Sequence, residues 1–165
     1  NNYGPYQFPE NLIPLAINKA LNGESIPLYG KGENVRDWLY VEDHIDAILC
    51  VAKKGKIGKT YCIGGDCNIT NKELIHIICE LLDKKFPKGR PHSNLIKYVQ
   101  DRPGHDFRYA INNKFIRKEL SWEPITDIEE GLKKTVEWYL ENIDWCNKML
   151  ESSGYKGQRL GTKKN

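Results

Sequence analysis

The stretch TNKELIHIICELLDKK, residues 70–85, leaves the chain little choice of local structure. Thr70 is followed three positions later by Glu73, the pattern in which each side chain satisfies the other residue's backbone amide at a helix start. Leu74, Ile75, Ile78, Leu81 and Leu82 then recur at helical spacing, so one face of this helix is apolar and must be covered. The same logic predicts a helix from near Asn11 to a stop at Gly23, with Pro14 tolerated because it falls in the first turn. VEDHIDAILCVAKKG predicts another, with acids in its first turn and lysines in its last. A short helix is expected over Lys114–Leu120. A long one, opened by a second capping box of Thr126 with Glu129, is expected to run through Asn142.

Short extended stretches separate these helices. SIPLYGKGE, NVRDWLYV, TYCIGG and NLIKYVQ all read as strands or strand-like segments. Alternation of this kind predicts a mixed α/β fold. TYCIGG is apolar throughout, the pattern of a strand covered on both faces, yet the chain supplies few neighbours to cover it. The opening NNYGPY, with no initiator Met, adds to the expectation that the chain is cut from something larger. Unless another part covers it, the 60–65 segment is expected to self-associate or to be partly disordered, because uncovered edges invite pairing.

A chain of 165 residues is long enough for one domain with a real core, here expected over 1–150, with a polar tail over 151–165. No apolar run is long enough to span a membrane, and no export leader opens the chain, which predicts a cytoplasmic protein. The net charge is +3, and Lys156, Arg159, Lys163 and Lys164 against Glu151 in the tail account for it, leaving a balanced body. That distribution argues against a nucleic-acid footprint. The cysteines Cys50, Cys62, Cys67, Cys79 and Cys146 are odd in number and include no C-x-x-C pair, so they read as reduced and mostly packing residues. His44, His76, His92 and His105 show no metal-ligand spacing, and no metal is expected.

The usual engines of catalysis do not occur. The sequence holds no G-x-G-x-x-G, no G-x-x-x-x-G-K-[ST], no G-x-S-x-G and no Tyr-x-x-x-Lys. Gly30-Lys31-Gly32 reads as a turn. Glu42 and Asp43 read as partners of a helix dipole, and His44 and His76 as ordinary helical residues. DRPGHD is different in kind: proline and glycine shape a bend that carries Arg102 and His105, both donors suited to an anion or a nucleotide edge. Taken alone it is as compatible with a solvated surface turn.

NNYGPYQFPENLIPL, PLYGKGENVRDWLYVEDH, TYCIGG and DRPGHDFRYAI, in that order, resemble the C-terminal half of the dTDP-glucose 4,6-dehydratase family, and YKGQRLG at the end extends the likeness. These enzymes are extended short-chain dehydrogenase/reductases, NAD-dependent epimerases and dehydratases. The resemblance implies a C-terminal substrate-binding part whose Rossmann core, with its cofactor loop and catalytic residues, lies outside this chain. It implies that no catalytic residue is present, that this chain alone is inactive, and that the full enzyme is a homodimer supplying deoxysugars. Asn1 then matches a substrate contact, and Asn2 a residue near the nicotinamide of NAD. Asn11 and Leu12 stand where the family has Lys-Leu against the substrate, so position 11 departs from the pattern. Pro27, Leu28 and Tyr29 match the segment packed on the base, Arg36 and Arg102 the diphosphate ligands, and Asn71 another substrate ligand. Residues Asp101, Arg102, Pro103, Gly104 and His105 match the loop closing over the nucleotide.

The chemistry suits those roles. Guanidinium forks bind phosphate oxygens through charge-assisted hydrogen bonds worth roughly 1.5–3 kcal/mol each. Stacking on Tyr29 adds on the order of 1 kcal/mol for a flat base. Two other readings compete: a related nucleotide-sugar epimerase or dehydratase with a different base or sugar, and a non-catalytic nucleotide-binding module. A nucleic-acid binder ranks behind both because the body is neutral.

Overall fold

A computed structural model describes residues 1–154, and the YKGQRLG segment lies outside the described residues. In chain order the elements are β1 (Asn2–Tyr3), α1 (Leu12–Leu21), β2 (Ile26–Tyr29), β3 (Val35–Asp37), β4 (Leu39–Tyr40) and α2 (Val41–Lys54). They continue with β5 (Asn68–Thr70), α3 (Asn71–Lys85), a 3-10 turn at His92–Leu95, β6 (Ile96–Val99), α4 (Lys114–Leu120), α5 (Ile128–Glu141) and α6 (Ile143–Ser153).

The helices form where the apolar spacing and caps demand them. Asn11 is the N-cap of α1, so Pro14 sits in the first turn, where its missing amide breaks no helical bond. At α3 the reciprocal cap is present: the Glu73 amide donates to Thr70 Oγ1 at 3.1 Å and the Thr70 amide to Glu73 Oε2 at 2.8 Å. The cap of α5 falls one residue later than expected. Asp127, not Thr126, accepts from the Glu130 amide at 2.8 Å. The Thr126 amide is instead taken by the buried Asp43 carboxylate at 3.0 Å, which fixes the approach to the helix. Asp43 therefore ties α2 to the start of α5, more than a partner of its own helix dipole does. Helix α6 was not expected. Asn142 caps the Trp138 carbonyl through its side chain at 2.8 Å, and the chain starts a new helix that packs Cys146 inward and Trp145 against Trp138. Glu151–Ser153, expected in the polar tail, complete that helix.

The strands make three two-stranded pieces among the described residues. β1 runs parallel to β4, β2 parallel to β6 with Ile26 opposite Ile96 and Tyr29 opposite Val99, and β3 antiparallel to β5 with Val35 opposite Thr70. Residues 60–65, expected as a buried strand, are irregular. The segment is held by other means. Tyr61 and Ile63 pack on a small cluster of Leu39, Ala47, Ile116, Leu120 and Trp122. The Gly65 amide donates to both Asp37 carboxylate oxygens at 3.2 Å, and the Cys67 amide to Oδ1 at 3.1 Å. Without a neighbouring strand to complete a ladder, the backbone takes its partners from a side chain.

The larger core gathers the buried faces of α1, α3 and α5 around Tyr3, Ile26, Leu28, Trp38 and Tyr40. Cys79 and Cys146 belong to it, and burial pushes their thiols up to about 12 and about 11, as befits inert packing residues. All five cysteines are free. Among the described residues no helix is long and apolar enough to cross a membrane, and no His, Cys, Asp and Glu side chains gather as a metal site.

Candidate nucleotide-binding site

Strand β2 alternates as a pleat requires, sending Ile26 and Leu28 into the core and leaving Pro27 and Tyr29 on the other face. Pro27 and Tyr29 form one wall of a cavity of about 560 Å³, a size suited to a small ligand. Leu28, expected at the site, does not line it. It is 1% exposed and closes the space beneath Gly32, where φ is +73°.

The opposite wall comes from β3 and the residue after it. Arg36 and Trp38 lie two apart and both face the cavity, while Asp37 between them turns inward to hold Gly65. The start of α3 contributes Asn71, the start of α1 contributes Asn11 and Leu12, and the first residues of the chain contribute Asn1 and Asn2. The loop after β6 contributes Arg102 and His105. Segments far apart in sequence, from Asn1 to His105, thus meet around one space.

Asp101, Pro103 and Gly104, also expected at the site, do not line it. Their part is to shape the loop. The Asp101 carboxylate accepts from the Arg102 amide at 2.8 Å and lies 2.7 Å from His105 Nδ1. Gly104 takes φ +69°, a left-handed conformation that favours glycine. The His105 ring then stands edge-on to Tyr29, with centroids 6.2 Å apart.

Arg36 is 6% exposed, and two influences oppose its charge: burial first, then the positive charge of Arg102. Tyr109, Asp106 and Asp101 offset part of that opposition. Arg36 and Arg102 line the cavity against one acidic residue, Glu10, a balance that favours holding an anion. Three lining residues also carry buried polar atoms with no partner: Trp38 Nε1, Asn71 Oδ1 and Gln7 Oε1. Each such atom ordinarily costs about 1–3 kcal/mol when left unpaired.

Sequence reasoning missed Gln7, Glu10, Ile13, Leu15, Trp38 and Val99 as lining residues. For Trp38 the period-two spacing from Arg36 was the available signal, since both must share a face of an extended segment. Asn2 lines the cavity as well, but its carboxamide contacts the His44 ring and its carbonyl accepts from Gln7 Nε2 at 3.0 Å. His44 is therefore tied to the site's edge and is more than an ordinary helical residue.

Residues 1–135 match the family model described as GDP-mannose 4,6 dehydratase. A dTDP-glucose 4,6-dehydratase of Xanthomonas campestris pv. campestris is 51% identical over 163 residues, which cover 98% of this chain and 46% of that protein. Among solved structures, dTDP-glucose 4,6-dehydratase from Bacillus anthracis in complex with NAD superposes with a TM-score of 0.81 at 48% identity, over 90% of this chain and 45% of that one. The dTDP-glucose 4,6-dehydratase DesIV from Streptomyces venezuelae, with NAD and dTDP bound, gives 0.81 at 42% identity over 90% of this chain and 44% of that one. The chain spans just under half the length of the relatives it matches.

Proposed function

The chain belongs to the GDP-mannose 4,6 dehydratase family, and from that premise we propose that it is the substrate-binding half of a dTDP-glucose 4,6-dehydratase. That lyase converts dTDP-glucose to dTDP-4-keto-6-deoxyglucose and water. The observation that carries this reading is the convergence of Tyr29, Arg36 and Arg102 on one cavity of about 560 Å³. Arg36 and Arg102 grip the diphosphate from two sides, and Tyr29 offers its ring to the base. Asn71, with its unpartnered oxygen, and Asn1, Asn11 and Leu12 line the remaining wall toward the sugar nucleotide. His105 and the loop shaped by Asp101, Pro103 and Gly104 cover it.

NAD supplies hydride chemistry in this reaction class. The residues present do not make a dinucleotide site. Asn2 is the one residue assigned near the nicotinamide, and its carboxamide is engaged by His44. No Gly-rich turn leads from a strand into a helix here. On this reading the cofactor and the acid–base residues come from another part of a longer polypeptide, a Rossmann half, and the complete enzyme is a cytoplasmic homodimer. The chain alone then leaves dTDP-glucose unchanged when NAD is added, and keto-sugar formation by it would overturn that part of the reading.

Calorimetric titration of thymidine, uridine and guanosine diphosphates distinguishes the base. Tightest binding of thymidine diphosphate is expected. Preference for another base would move the protein to a different nucleotide-sugar enzyme of the family, and no binding of any of the three would remove the nucleotide reading.

A further inference from the structure

The Arg36 guanidinium is held by the Val35 carbonyl of its own strand and by the end of the DRPGHD loop with the residue after it. Nη1 donates to the Val35 carbonyl at 2.7 Å and to the Phe107 carbonyl at 3.5 Å, and Nη2 donates to the Asp106 carbonyl at 2.9 Å. Of the five N–H donors of an arginine, Nε–H and the second Nη2 hydrogen remain, and these form a two-pronged fork. The Tyr109 ring covers one face of the guanidinium, with its centroid 4.7 Å from Cζ.

The negative charges of Asp106 and Asp101 both favour the charged Arg36 guanidinium. Asp106 offers its backbone carbonyl to Arg36, and its own carboxylate is anchored on the same short segment. That carboxylate does not pair with Arg36. It accepts instead from the Tyr109 hydroxyl. Tyr109 is fixed in turn by its amide, which donates to the Val35 carbonyl at 3.0 Å, and the adjoining Arg108 bridges to Val35 in parallel register. The Asp106 carbonyl is further held by Asn34 Nδ2 at 3.3 Å. One tyrosine therefore touches both the guanidinium and the only carboxylate of the segment that cradles it.

We propose that Tyr109 is a positioning residue for anion recognition: its hydroxyl occupies the Asp106 carboxylate, which leaves the Arg36 fork open to an external diphosphate. The inference rests on the reading of the cavity as a diphosphate site. Released from the hydroxyl, the Asp106 carboxylate is a local, high-concentration competitor for the same two donors. A protein that binds a diphosphate through a buried arginine needs such competitors occupied elsewhere, and Tyr109 does this without adding charge.

The test titrates thymidine diphosphate and thymidine into the whole protein and three variants. Tyr109→Phe keeps the ring on Arg36 and loses the hydroxyl. It is expected to weaken thymidine diphosphate about tenfold and to leave thymidine unchanged. The double variant Tyr109→Phe with Asp106→Asn removes the competing charge and is expected to recover most of the lost affinity, with Asp106→Asn alone close to wild type. A merely structural role predicts the reverse: the double variant binds no better than Y109F, and both ligands weaken together. That result, or unchanged diphosphate binding by Y109F, overturns the inference. Failure of the wild-type protein to bind thymidine diphosphate overturns the cavity reading, and this inference falls with it.

Discussion

His105 Nδ1 lies 2.7 Å from Asp101 Oδ1, and that contact closes the bend that carries Arg102. The His105 hydrogen bond, joined by one from the Arg102 amide, holds the Asp101 carboxyl below its ordinary range against the opposing effect of burial. A carboxylate with a depressed folded pKa stabilises the loop above its unfolded value of about 3.9 and loses that contribution as pH falls further. The Arg102 amide resonance, whose proton points at this carboxylate, is expected to titrate with a midpoint below about 3.9, and Asp101→Asn to abolish the titration. A midpoint at or above that value contradicts the arrangement.

The start of α5 separates two caps that the sequence does not. Asp127 accepts from the Glu130 amide, whereas Thr126 caps nothing and gives its own amide to Asp43. Asp127→Ala is expected to cost about 1 kcal/mol in urea unfolding, and Thr126→Ala much less. Equal losses, or a larger loss at Thr126, would restore the capping box of Thr126 with Glu129.

Gly65 lies so close to β4 that a Cβ there would collide with the Trp38 carbonyl and sit 3.2 Å from the Leu39 Cα. The neighbour is backbone and cannot swing aside. Gly65→Ala is expected to destabilise the protein by about 1–3 kcal/mol, read from the midpoint of thermal or denaturant unfolding. Wild-type stability in this variant would mean that the 60–65 segment is not docked against Asp37 and Trp38.

Local patterning carried most of the helices and the split character of the site. The Thr70–Glu73 cap, the Pro14 position and the apolar stripes of α1 and α3 were all legible, because each is set by residues within a turn or two. What failed depended on distant partners. TYCIGG has the composition of a buried strand, but a strand needs a neighbour for its ladder, and here Asp37 satisfies the Gly65 amide instead. The cap of α5 shifted because Asp43, far away in sequence, claims Thr126. Within the site, Arg102 and His105 were legible as donors on a shaped bend, the roles of Tyr29 and Arg36 came from a resemblance, and no local pattern could have placed them around one space. Leu28 was carried along with its neighbours, although the two-residue period of a strand already sends it to the opposite face of Pro27 and Tyr29.

On the proposed function, guanidinium groups from β3 and from the loop after β6 serve a single pyrophosphate. Arg102 is exposed, so its replacement spares the core. Calorimetry of thymidine diphosphate binding to wild type and Arg102→Ala is the direct measurement, with thymidine as the uncharged control. A charge-assisted bond of roughly 1.5–3 kcal/mol predicts that the variant loses at least about tenfold in affinity for the diphosphate and nothing for thymidine. Equal diphosphate affinities in the two proteins would contradict it.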